Sequence, residues 1–279
     1  MQEGRSMPRI YGLMIVKNEA DIAGQCLRHA LGHCDKIIVM DNMSSDGTWE
    51  IVQDLADAHP GRIIAHCRID GKFHDSLRAI GYNAFHQELS GNDWWLRLDA
   101  DEFLNEPPGP VLDIAAKETA DFVRANQMEF ALTDRDIALI ESGQDLRSQP
   151  IEQRRRHYRV SWREFRLFRN DPAVAWDVAQ GRQFPQHLSK SKVCSRAIFN
   201  RHYAHRDIEQ LKVRIAVRRG SQSFTHVAGE DWRAYTHPAG GHHVWSPDTA
   251  VQFRPLTDFW IPRLRLELAQ RLGLAAKPA

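Results

Sequence analysis

Apolar runs of strand length recur through the first hundred residues, and each stops at polar or acidic positions. Ile10–Val16 (Ile-Tyr-Gly-Leu-Met-Ile-Val) stops at Lys17-Asn18-Glu19. Residues 36–40 stop at Asp41-Asn42, residues 62–67 form a third run, and Trp94–Leu98 leads directly into Asp99-Ala100-Asp101-Glu102. Short apolar runs bounded by polar turns predict strands buried inside a sheet. Between them the period becomes helical. It predicts helices over 22–32 with Asp21 as N-cap, over Thr48–Ala58 with a stop at His59-Pro60-Gly61, and over 76–89. Strand and helix alternate with short connections, which predicts a right-handed, parallel α/β sheet.

Beyond Pro107-Pro108-Gly109-Pro110 the pattern loosens. A helix is predicted over 111–119 and a strand over 120–132, the latter from Phe122, Val123, Met128 and Phe130. Residues 163–168 alternate charge with Phe and Leu, as a half-buried strand does. The last third carries an amphipathic helix over 207–219, a Gly/His/Trp-rich loop over 236–245 and a closing helix over 262–272. No repeat or linker interrupts the chain, so 1–110 and 111–279 read as two halves of one continuous domain.

Composition narrows the classes. The 279 residues are 42% hydrophobic and 26% charged, with a net charge of +1. That balance supplies no field for nucleic acid. The arginine-rich stretch Arg154-Arg155-Arg156, Arg159, Arg163, Arg166 and Arg169 has no recognition motif beside it, and reads as a solvated face or an anionic acceptor site. Four cysteines without a C-x-x-C pair read as reduced thiols of a cytoplasmic protein. The first nine residues are polar, with no signal core, and no apolar run is long enough to span a bilayer. Peripheral contact with the inner membrane face stays open.

Chemistry gathers where the strands end. Side chains two apart on an extended chain face the same way, so Asp99 and Asp101 converge. Paired carboxylates call for a hard divalent cation, Mn²⁺ or Mg²⁺, which shares its shell with phosphate oxygens. A bare D-x-D is equally a solvated acidic turn, but ligands of open α/β sheets collect at the carboxyl ends of strands. Asp41 alone is a turn or cap residue; beside the other strand ends it becomes an acceptor for a nucleobase or ribose. His237, His242 and His243 read either as transition-metal ligands or as a loop over the active site made mobile by Gly240-Gly241.

Three segments resemble family 2 glycosyltransferases, in the bacterial subgroup with K-N-E, D-N-x-S-x-D-G-T and D-x-D-E-F signatures. They are Met14-Ile15-Val16-Lys17-Asn18-Glu19, Ile37 through Thr48, and Leu98-Asp99-Ala100-Asp101-Glu102-Phe103. The resemblance implies a GT-A fold, a nucleoside diphosphate sugar as donor and a divalent cation, with 1–110 as the nucleotide-sugar half and 111–279 as the acceptor side. It gives Asp41 the base, Asp99 the ribose or the metal through water, and Asp101 the metal. Lys17, Asn18 and Glu19 join the donor edge, and Arg78 and Asn83 stand where relatives contact the nucleotide.

Arg166-Leu167-Phe168-Arg169-Asn170 followed by Trp176 is similar to the acceptor-side stretch of the same family. Relatives then carry a His-Glu pair, whereas this chain has Gln186-His187-Leu188. Asp177 therefore becomes the expected catalytic base of an inverting, hexosyltransferase-like reaction. The segment from Arg201 to Lys212 resembles H-Y-x-x-R-S/D-x-E-Q-x-x-x-K. It implies His202 as a metal ligand, with Arg206 and Lys212 on the diphosphate, whose leaving charge needs stabilising. The acceptor is a glycan or lipid-linked glycan. The alternatives are a nucleotidyltransferase, which would carry a Gly-rich phosphate loop after the first strand, and a sugar-nucleotide or glycan-binding protein without a base.

Overall fold

The computed structural model describes residues 7–144, 146–219 and 231–247. The elements in chain order begin with β1 (Ile10–Val16), α1 (Ala23–Ala30), β2 (Lys36–Asp41), α2 (Thr48–Ala58), β3 (Ile63–Arg68) and α3 (Arg78–Phe85). There follow β4 (Trp94–Leu98), β5 (Glu102–Leu104), α4 (Gly109–Glu118), β6 (Phe122–Phe130), β7 (Leu132–Thr133), α5 (Asp134–Glu141) and α6 (Ile151–Arg154). The described part closes with β8 (His157–Arg169), β9 (Ile198–His202), α7 (Ile208–Arg219), β10 (Thr236–His237) and β11 (His243–Val244). The chain divides into two compact units. The first takes the described residues up to 125 together with 163–200, and the second takes 126–162 and the described residues from 201 on. The boundaries fall within β6, β8 and β9.

The first unit is the α/β sheet that the sequence predicts, flanked by helices. Its strands lie in the order β3-β2-β1-β4-β8-β6-β9-β5. β1 pairs in parallel with β2 (Leu13 opposite Ile38) and with β4 (Gly12 opposite Leu96), and β2 pairs in parallel with β3. β8 runs antiparallel to β4, Trp95 opposite Phe168, so the sheet is mixed where the sequence predicts it to be parallel. The alternation of charge with Phe and Leu over 163–168 foretold the strand but not its direction. β1 and β4 are buried along their whole length, as continuous apolar runs require.

One side of this sheet packs Leu13, Met40, Trp95 and Phe168 against Tyr82 and Trp176. Tyr82 lies 5.2 Å from Trp95 and 6.0 Å from Trp176, ring centre to ring centre. Trp95 Nε1 donates to Asn170 Oδ1 at 2.8 Å, so the buried indole keeps its hydrogen bond. α3 lies close on the sheet at Gly81, where a Cβ would sit 2.9 Å from Leu13 Cδ1 and 3.0 Å from Met40 Cε. The single helix predicted over 76–89 is α3 flanked by 3₁₀ turns at Asp75–Leu77 and His86–Glu88. These tighter turns carry Leu77 and Leu89 into the core at either end. Asp21 does not cap α1. The cap position falls on Ile22, and the Glu19 carbonyl closes the turn by accepting from the amides of Ile22 and Ala23.

In the second unit, β7 pairs in parallel with β10 and the start of β8 pairs antiparallel with β11. Thr133 and Asp136 form a reciprocal capping box that starts α5. Phe130 packs on Tyr203, and Arg201 lies over the Trp245 ring at 4.8 Å. The helix predicted over 262–272 lies outside the described residues. No helix among the described residues is long and apolar enough to cross a membrane.

Candidate functional site

The ends of β1 and β2 are tied to one another. Lys17 Nζ donates to the carbonyls of Asn42 and Met43 at 2.6 and 3.0 Å. Asn18, in the left-handed region at φ 53°, accepts from the Ser45 amide and donates through its own amide to Ser44 Oγ. The Glu19 amide donates to Thr48 Oγ1 at 2.9 Å. Gly47 supplies the φ of +93° that turns the chain into α2. The three residues expected at the donor edge thus brace the 41–48 turn with their backbone and side-chain groups.

That bracing holds Asp41. Its side chain is fully buried, and Oδ2 accepts from the Ser44 amide and from Arg68 Nε, both at 2.9 Å. Oδ1 is buried too, and has no hydrogen-bond partner among the described residues. Buried acceptors are nearly always satisfied, so this atom calls for a donor from beyond the described residues.

Where β4 ends, acids and arginines interlock. Asp99 Oδ1 pairs with Arg78 Nη2, and Oδ2 accepts from Arg166 Nη1 at 2.7 Å. Arg97 approaches the same Oδ2 at 3.6 Å. Burial alone would push the Asp99 carboxyl up, but Arg78, Arg166 and Arg97 outweigh it and hold it below the usual carboxylate range. Arg78 also pairs with Asp75 at 2.7 Å, and Asp75 Oδ2 accepts from Gln183. Arg166 Nη2 reaches Glu102 and Glu164, while Glu102 Oε2 accepts from Asn200 at 2.7 Å. Asp99 therefore has both oxygens engaged by guanidinium groups. Asp101 and Glu102 are buried and bring carboxylate oxygens within 4.8 Å of each other. Glu102 already carries Arg166 on one oxygen, and hard oxygen donors at that separation suit Mg²⁺ or Mn²⁺.

The other expected residues lie as follows. Asn83 donates to the Trp176 carbonyl and accepts from the Trp176 amide, both at 2.8 Å, so its side chain fixes the backbone of that residue. Asp177 starts a 3₁₀ turn, accepting from the Ala179 amide at 2.9 Å. In the second unit His202 ends β9, its ring edge-on to Trp162 at 5.7 Å. Arg206 is buried and donates to the Tyr203 carbonyl. Lys212 is an exposed partner of Glu209 at 2.6 Å on α7. His237 and His242 have ring centres 5.6 Å apart.

Several site residues escaped the sequence reading: Arg68, Arg97, Glu102, Glu164 and, as an ion-pair hub, Arg166. One signal was present for Arg97, the lone charge in an otherwise apolar strand. Nothing in the order of residues announces that Arg166 spans Asp99 and Glu102, because that pairing depends on β8 lying beside β4.

The family model for glycosyl transferase family 2 matches residues 13–173, more than half of the chain. The chain belongs to that family. Among curated relatives, an uncharacterised glycosyltransferase of Rickettsia felis is 28% identical over 131 residues, 47% of this chain and 42% of its own length. One of Rickettsia prowazekii is 29% identical over 100 residues, 36% of this chain and 30% of its own. The chain thus matches less than half the length of these relatives. Among solved structures, the mannosyltransferase of Pyrobaculum calidifontis in complex with GDP-Man and Mn²⁺ aligns at a TM-score of 0.40 and 15% identity, over 98% of this chain and 78% of that one. GalNAc-T7 with UDP, GalNAc and Mn²⁺ aligns at 0.40 and 10%, over 72% and 45%.

Proposed function

We propose that the chain transfers a sugar, hexosyl in class, from a nucleoside diphosphate sugar to a hydroxyl of a glycan or lipid-linked acceptor, with inversion. The reaction would run in the cytoplasm, at the inner membrane face when the acceptor is lipid-linked. The observation that carries this reading is the buried Oδ1 of Asp41 at the carboxyl end of β2, which has no hydrogen-bond partner among the described residues. A nucleobase N–H is a donor of the right kind, and an acceptor held by Ser44 and Arg68 meets it without reorganising.

From there the roles follow the chain's own groups. Asp99, immobilised by Arg78 and Arg166, is fit to accept from a ribose hydroxyl. Asp101 and Glu102 would hold Mn²⁺ or Mg²⁺, with His202 as the further ligand that the family resemblance implies. When bound, that cation supplies charge stabilisation to the leaving diphosphate. Arg206 and Lys212 are proposed to serve the same developing charge. Asp177 is proposed to take the proton of the acceptor hydroxyl.

Calorimetric titration of UDP and GDP into the full chain tests the reading. Binding is expected with Mn²⁺ present, and its loss with EDTA and in Asp101→Asn. Equal binding of either nucleotide with EDTA would overturn the metal role.

A further inference from the structure

Two side chains of α1 meet the acid turn at the end of β4. Cys26 is fully buried, and its Sγ lies 3.2 Å from the Glu102 carbonyl oxygen and 3.5 Å from that of Asp99. A carbonyl only accepts, so the thiol is the donor to both. Three residues further along the helix, His29 Nε2 lies 2.9 Å from the Leu104 carbonyl and therefore carries the proton there. The His29 ring also packs on Phe103, 5.3 Å centre to centre. The Glu102 amide donates to the Asp99 carbonyl at 3.1 Å and closes the turn. The helix is itself fixed where it begins. The Glu19 amide donates to Thr48 Oγ1 at 2.9 Å and the Ala20 amide to Asp46 Oδ2 at 3.1 Å. Along its length it lies close on α2, where a Cβ on Gly24 would stand 3.2 Å from Ile51 Cγ2. A rigidly held element can impose its geometry on the groups it touches. The turn has need of that, because Asp99, Asp101 and Glu102 put three acids into four residues. Arg78 and Arg166 engage the side chains of Asp99 and Glu102, whereas the α1 contacts engage the backbone that carries them.

We infer that Cys26 and His29 are positioning residues, which fix the backbone of residues 99–104 so that the Asp101 and Glu102 carboxylates face one cation together. The inference rests on the metal role proposed for those two acids. A buried cysteine otherwise serves as a small apolar filler. The two roles order the replacements oppositely. A filler is replaced better by Ala than by Ser, whose buried hydroxyl needs a partner. A donor is replaced better by Ser, which keeps an O–H for the same carbonyls.

The test uses the full chain and two measurements. Amide hydrogen exchange over 99–104 is followed in EDTA, and Mn²⁺ affinity is read from the paramagnetic resonance of the free ion. Both are applied to the parent, Cys26→Ala, Cys26→Ser and His29→Leu. Leu55→Ala, a truncation of a buried side chain on α2, is the control for lost stability alone. Thermal unfolding verifies that each variant is folded. Cys26→Ala and His29→Leu are expected to speed exchange in the segment and to weaken Mn²⁺ binding roughly three- to tenfold, the worth of one net hydrogen bond. Cys26→Ser is expected to stay near the parent in both, and Leu55→Ala to lower only the melting temperature. Unchanged exchange in folded Cys26→Ala, Ala tolerated better than Ser, or an equal Mn²⁺ loss in Leu55→Ala overturns the positioning role. A parent that binds no Mn²⁺ overturns the metal role itself, and exchange in EDTA then decides separately whether α1 holds the turn.

Discussion

At the strand ends of the first unit, Asp75, Asp99, Glu102 and Glu164 share three arginines, Arg78, Arg97 and Arg166, with Asp101 beside them. Around a cavity of the second unit each of five cationic side chains stands beside a carboxylate: Arg147 and Arg154 beside Asp207, Arg155 beside Asp136, Lys212 beside Glu209 and Arg233 beside Asp231. The first region is largely withdrawn from water, where charge must be matched, whereas Arg147, Lys212, Glu209 and Arg233 of the second are more than half exposed. In the first region five carboxylates stand with three guanidinium groups. Charge therefore has to be balanced by neighbouring groups in the first region, while water serves the exposed groups of the second.

The largest expected effect breaks the first half of this contrast. Arg166→Met removes the group that joins Asp99, Glu102 and Glu164 and leaves buried carboxylates uncompensated. Denaturant unfolding should show a loss of about 3–5 kcal/mol. Arg166→Lys should recover little, because a point charge cannot serve two carboxylates through separate nitrogens. A loss below about 1 kcal/mol, the range of exposed pairs, would mean that water and not Arg166 balances the acids.

Next comes Asp41→Asn. The shape is kept while one acceptor oxygen becomes a donor, and nucleotide affinity should fall by about 1.5–3 kcal/mol, the worth of a hydrogen bond to a charged group. Calorimetry with UDP and GDP reads it. An unchanged dissociation constant in a folded variant reduces Asp41 to an anchor for Ser44 and Arg68.

Asn83→Ala should separate structure from binding. Both Asn83 groups bond the Trp176 backbone, so stability should drop by about 1–3 kcal/mol from unsatisfied partners, while nucleotide affinity in the folded fraction stays put. A selective loss of affinity would return Asn83 to the nucleotide-contacting role that the family resemblance implies.

These cases show what the residue order could and could not carry. β1 to β4 and α2 were legible because period and apolar runs are local properties, and α2 begins and ends at the expected residues, Thr48 and Ala58. Asp41, Asp99 and Asp101 were legible as ends of apolar runs. The antiparallel entry of β8 was not, since pairing direction depends on a distant connection, and with it the Arg166 hub stayed hidden. Asn83 was placed at the nucleotide by the family resemblance, and its bonds to the Trp176 backbone are tertiary ones that leave no local signal. Its partner Trp176 is 93 positions away.

Acidification gives the mildest test of the contrast, because it adds positive charge away from both regions' fixed arginines. Burial lowers the His187 imidazole, with Asp171 and Asp121 opposing, and its Nδ1 has no partner among the described residues. Burial likewise lowers His237, helped by Arg159 and His242, and lowers His242 despite its contact with the Pro238 carbonyl. A histidine with a depressed folded value binds fewer protons folded than unfolded. Its contribution is therefore fully present above the unfolded value, about 6.5, and is lost as pH falls through the folded one. The depressed Asp99 carboxyl has the same sign, but acts only once pH drops below the unfolded carboxylate value of about 3.9. Between pH 7.5 and 5 the slope thus belongs to histidines. Urea unfolding across that window should show declining stability, and His187→Gln should flatten the decline for the first unit. Stability that stays level or rises on acidification would show these rings to be solvated, and acid loss would then begin only with the carboxylates.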